Sequence, residues 1–207
     1  MFRTCFRFSA ALLGLALVLT VGGVAQAKNS RLITQSTSSD CGPAALATLL
    51  TYYLDIPSTE AEIIRLANAE PVRGTSLQGL ENAVDAKGGG AQSVRMTYAT
   101  LQEQLKSYAA PVIVRLLLPE PHFVLVFQTG DEIAITDPAA GHVWLKREAF
   151  LKRWLIPGSK DAEGYVFIAA RADGKVNEAN RALTLRDLAR SRRALQTTRT
   201  SPVPFAR

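Results

Sequence analysis

The chain has 207 residues, 47% of them hydrophobic and 20% charged, with a formal net charge of +6, two cysteines and two histidines. That length carries one domain with a sizeable core. So few cysteines exclude a disulfide framework and make a poor ligand set for a metal. The charge is uneven: residues 171–207 hold nine basic and three acidic side chains, whereas residues 28–170 hold thirteen and fifteen. The globular part is nearly neutral, which argues against a nucleic-acid-binding domain.

Arg3 and Arg7 precede an uncharged run from Phe8 to Val24, followed by Ala25-Gln26-Ala27. This is the pattern of a secretory signal peptide spanning residues 1–27. For a run of this length an uncleaved membrane anchor is the alternative. With both arginines on its N-terminal side, the remainder is expected outside the cytoplasm in either case, periplasmic or secreted. Cleavage leaves Cys41 as the single cysteine. Exported proteins normally use cysteines in pairs, so an odd thiol is flagged as reactive.

Residues 28–40 are polar and read as extended. From Cys41 the run GPAALATLLTYYL is apolar almost all round, the pattern of a buried helix. Pro43 fits only its first turn, so Asp40 or Ser39 is the expected N-cap and Cys41 opens the helix. Ser58-Thr59-Glu60 starts a second helix reaching about Asn68, and residues 76–87 form a third, stopped by Gly88-Gly89-Gly90. A short strand at 91–96 and a short helix at 100–106 follow. Strands are then expected at 111–118, 122–128 and 132–136, with a turn at 129–131. A strand at 142–146, a helix at 147–154 and a strand at 165–170 close a domain at 28–170. Helices first and an antiparallel sheet after them is an α+β order. Residues 171–207 read as a basic tail: 177–195 has helical potential and 196–207 is polar and expected to be disordered. A solvated tail and a partner- or membrane-binding segment are both open.

Cys41 has two readings: a small buried hydrophobe, or a nucleophile activated by a helix N-terminus. A nucleophile also needs a base, and His122 and His142 are the two histidines. His122 opens a rigid apolar strand, whereas His142 lies in a turn-like Ala-Gly-His. Folding back around the turn at 129–131 brings Asp137 close to residue 122 or 123, the placement of an orienting carboxylate. Asp137-Pro138 is equally a common turn starter. An oxyanion would be met by the Cys41 backbone N–H and, as a side-chain amide, by Gln35. On its own Gln35 would count as a surface loop residue.

Gln35, then Asp40-Cys41-Gly42-Pro43-Ala44-Ala45-Leu46, then Pro121-His122-Phe123-Val124, then Asp137-Pro138 with Phe150 and Trp154, resembles the double-glycine, bacteriocin-processing cysteine peptidases. The resemblance runs from about Leu32 to Ala170. It implies a papain-like fold, with a helical lobe carrying the cysteine, a sheet lobe carrying histidine and aspartate, and a cleft between them. It further implies Cys41 as nucleophile, His122 as base and then acid, Asp137 as orienting residue and Gln35 as oxyanion donor. No cofactor or metal is implied. The implied substrate is a peptide or protein precursor cut after a Gly-Gly-type pair. An export machinery is an implied partner, and secreted or amyloid-forming precursors are implied clients. The well-known members are domains of peptide-exporting transporters, whereas this chain carries an export signal and no nucleotide-binding motif. A non-catalytic peptide-binding module is the competing reading, and acyl transfer or amide hydrolysis on a non-peptide is a third.

Overall fold

A computed structural model describes residues 31–200, with side chains to residue 193. The signal segment expected at 1–27 lies outside the described residues, as do residues 201–207. Six helices and six strands follow in the order α1 (Cys41–Thr48), α2 (Glu60–Leu66), α3 (Leu77–Ala86), β1 (Gly89–Thr97), α4 (Tyr98–Ser107), β2 (Val112–Leu116), β3 (His122–Gln128), β4 (Glu132–Asp137), β5 (Gly141–Lys146), α5 (Arg147–Trp154), β6 (Glu163–Arg171) and α6 (Glu178–Thr200). A π-helical turn, Leu49–Tyr53, continues α1.

Local sequence explains most of these boundaries. Thr59, Ser76 and Thr97 cap α2, α3 and α4: each side-chain oxygen accepts the backbone N–H three residues on. The α3 helix ends before Gly88, whose φ of +75° suits a residue without a Cβ. Gly164 is required for another reason. A Cβ there would lie 2.2 Å from the Trp154 indole, which lies against the β6 backbone and donates Nε1–H to Tyr165 O at 3.0 Å.

The strands form one antiparallel sheet in the order β1-β6-β2-β3-β4-β5. β6, the last strand in the chain, lies between β1 and β2. Alternation along the strands gives the sheet two apolar faces. Phe123, Leu125, Phe127, Ala134 and Phe167 pack with Leu46, Leu49, Leu50 and Tyr53 of the α1 segment. Val124, Val126, Ile133, Ile135 and Val166 pack with Leu101 and Leu105 of α4 and with Phe150 and Trp154 of α5. Every residue of α1 is buried, which is why its apolar residues run all round rather than along one stripe. This is an α+β, papain-like fold.

The C-terminal segment departs from the solvated-tail reading. The helix α6 starts at Glu178 and continues past Gln196, where disorder was expected. Its inner side is packed on the domain: Leu188 and Thr184 are fully buried. Tyr53 Oη and Thr184 Oγ1 are hydrogen-bonded at 2.9 Å, Trp144 Nε1–H donates to Leu188 O at 2.8 Å, and Asp187 forms an ion pair with Arg31. A buried leucine and these polar contacts outweigh the preference of a basic helix for full solvation.

Candidate active site

The site lies where the start of α1 meets the start of β3 and the end of β4. β3 and β4 pair with Leu125 opposite Thr136 and Val126 opposite Ile135, and a bulge follows at Val126/Gln128. Extending that register places Asp137 opposite residue 124 and diagonal to 122. The side chains meet there: His122 Nε2 lies 2.8 Å from Asp137 Oδ1. Asp137 Oδ1 also accepts the backbone N–H groups of Ala139 at 2.8 Å and Ala140 at 3.3 Å. The carboxylate is therefore held by its own turn before it holds the imidazole. With Nε2 engaged, Nδ1 is the ring nitrogen left for the Cys41 thiol, to which His122 is hydrogen-bonded.

Electrostatics follow from this geometry. Burial pushes the Cys41 thiol up, but the His122 hydrogen bond, the backbone N–H groups of Phe123 and Gly42, and the His122 charge together bring it below its ordinary value. The Asp137 hydrogen bond, followed by that of Cys41, raises His122 to about 9 against the opposing effect of burial. Burial also pushes the Asp137 carboxyl up; the His122 hydrogen bond and the two turn N–H groups more than offset it and leave the carboxyl below its usual range. Both shifts favour a thiolate–imidazolium pair beside a carboxylate, an arrangement fit for nucleophilic attack on a carbonyl carbon.

Asp40 occupies the N-cap position, but its side chain makes no cap hydrogen bond. Its ψ of 12° is not the extended value that aims a side chain back at the first turn. Thr37 Oγ1 donates to Asp40 Oδ2 at 2.6 Å instead, and Ser39 Oγ donates to Pro71 O at 2.7 Å. The expectation of a side-chain cap from Asp40 or Ser39 is corrected accordingly. The start of α1 is anchored by the preceding loop.

Gln35 sits in that loop. Its backbone N–H donates to Pro138 O at 3.1 Å, tying it to the residue after Asp137. Its Nε2 donates to Thr37 O at 2.8 Å, and its buried Oε1 has no hydrogen-bond partner. Ser36 is fastened to Glu60 at the start of α2 through its backbone N–H at 2.7 Å. The loop is therefore stitched to both lobes. One of the two Gln35 amide hydrogens is in use, and the oxyanion role requires the other.

His142 lies elsewhere, on β5, with Nδ1 2.9 Å from Thr136 Oγ1. The structure thus brings Cys41, His122 and Asp137 together with Gln35 nearby, and it leaves His142 out. A cleft of about 580 Å³ opens at Cys41, lined by Ser38, Ser39, Gly74, Thr75, Arg115, Pro121 and Phe123 among others. Thr75 and Arg115 were missed at the level of sequence. The signal for Arg115 was available: one charged residue inside the apolar run Val112-Ile113-Val114-Arg115-Leu116-Leu117-Leu118. Among the described residues no cluster of three His, Cys, Asp or Glu side chains could hold a metal ion.

Comparison with known proteins agrees with this architecture. Over 141 residues the chain is 33% identical to "Probable functional amyloid protease FapD" of Pseudomonas aeruginosa, covering 65% of this chain and 61% of that protein. It is 32% identical over 129 residues to the lactococcin-G-processing and transport ATP-binding protein LagD of Lactococcus lactis, covering 60% of this chain but only 18% of the transporter. The fold superimposes on the peptidase domain of Streptococcus ComA with a TM-score of 0.56 at 22% identity, covering 69% of this chain and 98% of that domain. It also superimposes on a double glycine motif protease from an AMS/PCAT transporter, solved with a leader peptide, with a TM-score of 0.52 at 25% identity, covering 67% and 89%. The Peptidase C39 family matches residues 29–157, well over half of the chain, and the protein therefore belongs to this family of cysteine peptidases.

Proposed function

We propose that the protein is an exported cysteine endopeptidase that cuts a peptide or protein precursor after a Gly-Gly-type pair during maturation or secretion. The observation that carries the reading is the His122–Asp137 contact of 2.8 Å at a ring that is also hydrogen-bonded to Cys41. In this reading the Cys41 thiolate attacks the scissile carbonyl carbon. The developing oxyanion is met by the Cys41 backbone N–H and the second Gln35 amide hydrogen. The His122 imidazolium then protonates the leaving amine, which departs and leaves a thioester on Cys41. Water, deprotonated by the now neutral imidazole, attacks the thioester, and the thiolate–imidazolium pair is regenerated. Asp137 keeps the ring oriented throughout.

The double-glycine preference draws support from the transporter protease named above and from the cramped floor of the cleft, where a Cβ on Gly42 would already be 3.1 Å from the Phe123 ring. Export is supported by the basic, apolar and A-x-A succession of residues 1–27. The likeness to an amyloid protease makes secreted or amyloid-forming precursors the favoured clients.

The test is cleavage of a synthetic peptide carrying Gly-Gly at its centre, followed by mass spectrometry, beside a Gly-Val control. Cutting after Gly-Gly that is lost in Cys41→Ala is the expected result. Binding without cutting in the wild type would instead favour a peptide-binding module. Cutting of both peptides at equal rates would remove the double-glycine preference.

A further inference from the structure

Two polar groups in the wall of the Cys41 cleft have no protein partner. Arg115 is half-buried on β2, its inaccessible Nε–H donates to no acceptor, and its guanidinium forms no ion pair with any described residue. Thr75 is buried, and its Oγ1 likewise has no partner. Both line the cleft that contains Cys41.

Both lie close to the Phe123 ring. Arg115 is paired across the β2–β3 ladder with Phe123, and its guanidinium carbon lies 5.9 Å from the Phe123 ring centroid. The same ring and the Thr75 Cβ close over Gly42, at 3.1 and 3.4 Å from where its Cβ would be. Phe123 therefore acts as a shelf with Arg115 on it and Thr75 at its edge, and its own backbone N–H donates to the Cys41 sulfur. Of the other charged groups lining the cleft, Arg73 is engaged by Glu70 at 3.7 Å, and Glu120 makes no salt bridge to Arg115. An unpaired guanidinium in a half-buried site is costly unless a carboxylate or similar acceptor meets it.

We propose that Arg115 and Thr75 form a carboxylate-binding subsite beside Cys41, so that the preferred substrate carries an aspartate or glutamate side chain close to the scissile bond. This deepens the peptidase reading and rests on it. The guanidinium supplies charge and directed N–H donors, the Thr75 hydroxyl supplies a further donor, and the Phe123 ring fixes the guanidinium plane. A neutral side chain of the same length would forgo the charge-assisted bonds.

The test uses probes that alkylate Cys41 without any peptide hydrolysis: N-bromoacetyl-glutamate amide against N-bromoacetyl-glutamine amide. The sulfur displaces bromide in both, and only the distal group differs. Iodoacetamide, too small to reach the subsite, reports on the thiol itself in every variant. In the wild type the glutamate probe is expected to react about fivefold to tenfold faster than the glutamine probe. Arg115→Gln should bring that ratio to about one, and Arg115→Lys should retain part of it. Thr75→Val, which keeps the side-chain volume, should lower the ratio by about half, and it carries the test should Arg115→Gln fail to fold. Equal ratios in wild type and Arg115→Gln, with iodoacetamide still reacting, overturn the subsite and leave the peptidase reading standing. A Cys41 inert to iodoacetamide in the folded wild type removes the peptidase reading and the subsite together.

Discussion

Asp137 Oδ1 accepts three hydrogen bonds at once, from His122 Nε2 and from the N–H groups of Ala139 and Ala140. The turn that ends β4 thus builds the carboxylate into place, and the imidazole is oriented by a group that cannot swing away from it. The order matters, because an orienting residue held only by the histidine would follow that ring rather than direct it.

This pair sets the pH behaviour. His122 is raised to about 9 and the Cys41 thiol is lowered, so the thiolate–imidazolium pair is populated between those two limits. Cleavage is expected to fall as pH rises through about 9. Asp137→Asn removes the largest cause of the elevation, so that basic limb should move toward the ordinary imidazole range and the rate should fall about a hundredfold. A pH–rate profile of both proteins checks it, and an unmoved limb would disprove the role of Asp137.

The same shift makes a stability prediction. The folded His122 pKa lies above the ordinary value of 6.5. Its protonated form therefore stabilises the fold fully below about pH 6.5, and that contribution is lost as pH climbs through about 9. Denaturant midpoints measured from pH 6 to 10 should decline over that window in the wild type. In His122→Ala this component of the decline should disappear.

Cys41→Ala should abolish cleavage while changing stability by only about 1 kcal/mol. The buried site loses a single sulfur at a helix start that tolerates alanine. His142→Ala should leave the cleavage rate unchanged, since its ring is engaged with Thr136 rather than with the triad. Urea denaturation and peptide cleavage of both variants decide this. A dead His142→Ala beside an active His122→Ala would reverse the assignment of the base.

Gly42→Ala places a methyl 3.1 Å from the Phe123 ring. That ring must retreat by a few tenths of an ångström, and its backbone N–H is one of the groups that lowers the Cys41 thiol. A loss of about tenfold in kcat with little change in melting temperature is expected. Equal kcat values would mean that Phe123 yields without disturbing the sulfur.

Leu188→Ala probes the packed C-terminal helix. Leu188 is fully buried in the core shared with Tyr53 and Trp144. Its truncation should cost about 2–5 kcal/mol. An unchanged thermal midpoint would mean that α6 contributes nothing to the folded unit.

Much of the site was legible because its chemistry is written in short local patterns. Cys41 before Gly42-Pro43 marks a helix start, His122 marks a strand start, and the hairpin turn at 129–131 returns Asp137 to it. Periodicity is a local property, so the helices and strands also came out close to their observed limits. Three things depended on long-range packing. The insertion of β6 between β1 and β2 joins residues 50 to 82 positions apart, and no local pattern specifies which edge a strand will choose. The docking of α6 rests on Leu188, Thr184 and Asp187 finding Trp144, Tyr53 and Arg31, inside a segment whose net charge reads as a solvated tail. The shelf formed by Phe123 under Arg115 exists only because β2 and β3 pair in one register and Gly42 lets the ring close over the start of α1. Residue types and spacing single out Cys41, His122 and Asp137 as the candidate nucleophile, base and orienting acid, since that chemistry needs particular groups in a particular order. What surrounds them follows from burial of apolar surface between segments distant in the chain, a collective effect that no single stretch of sequence encodes.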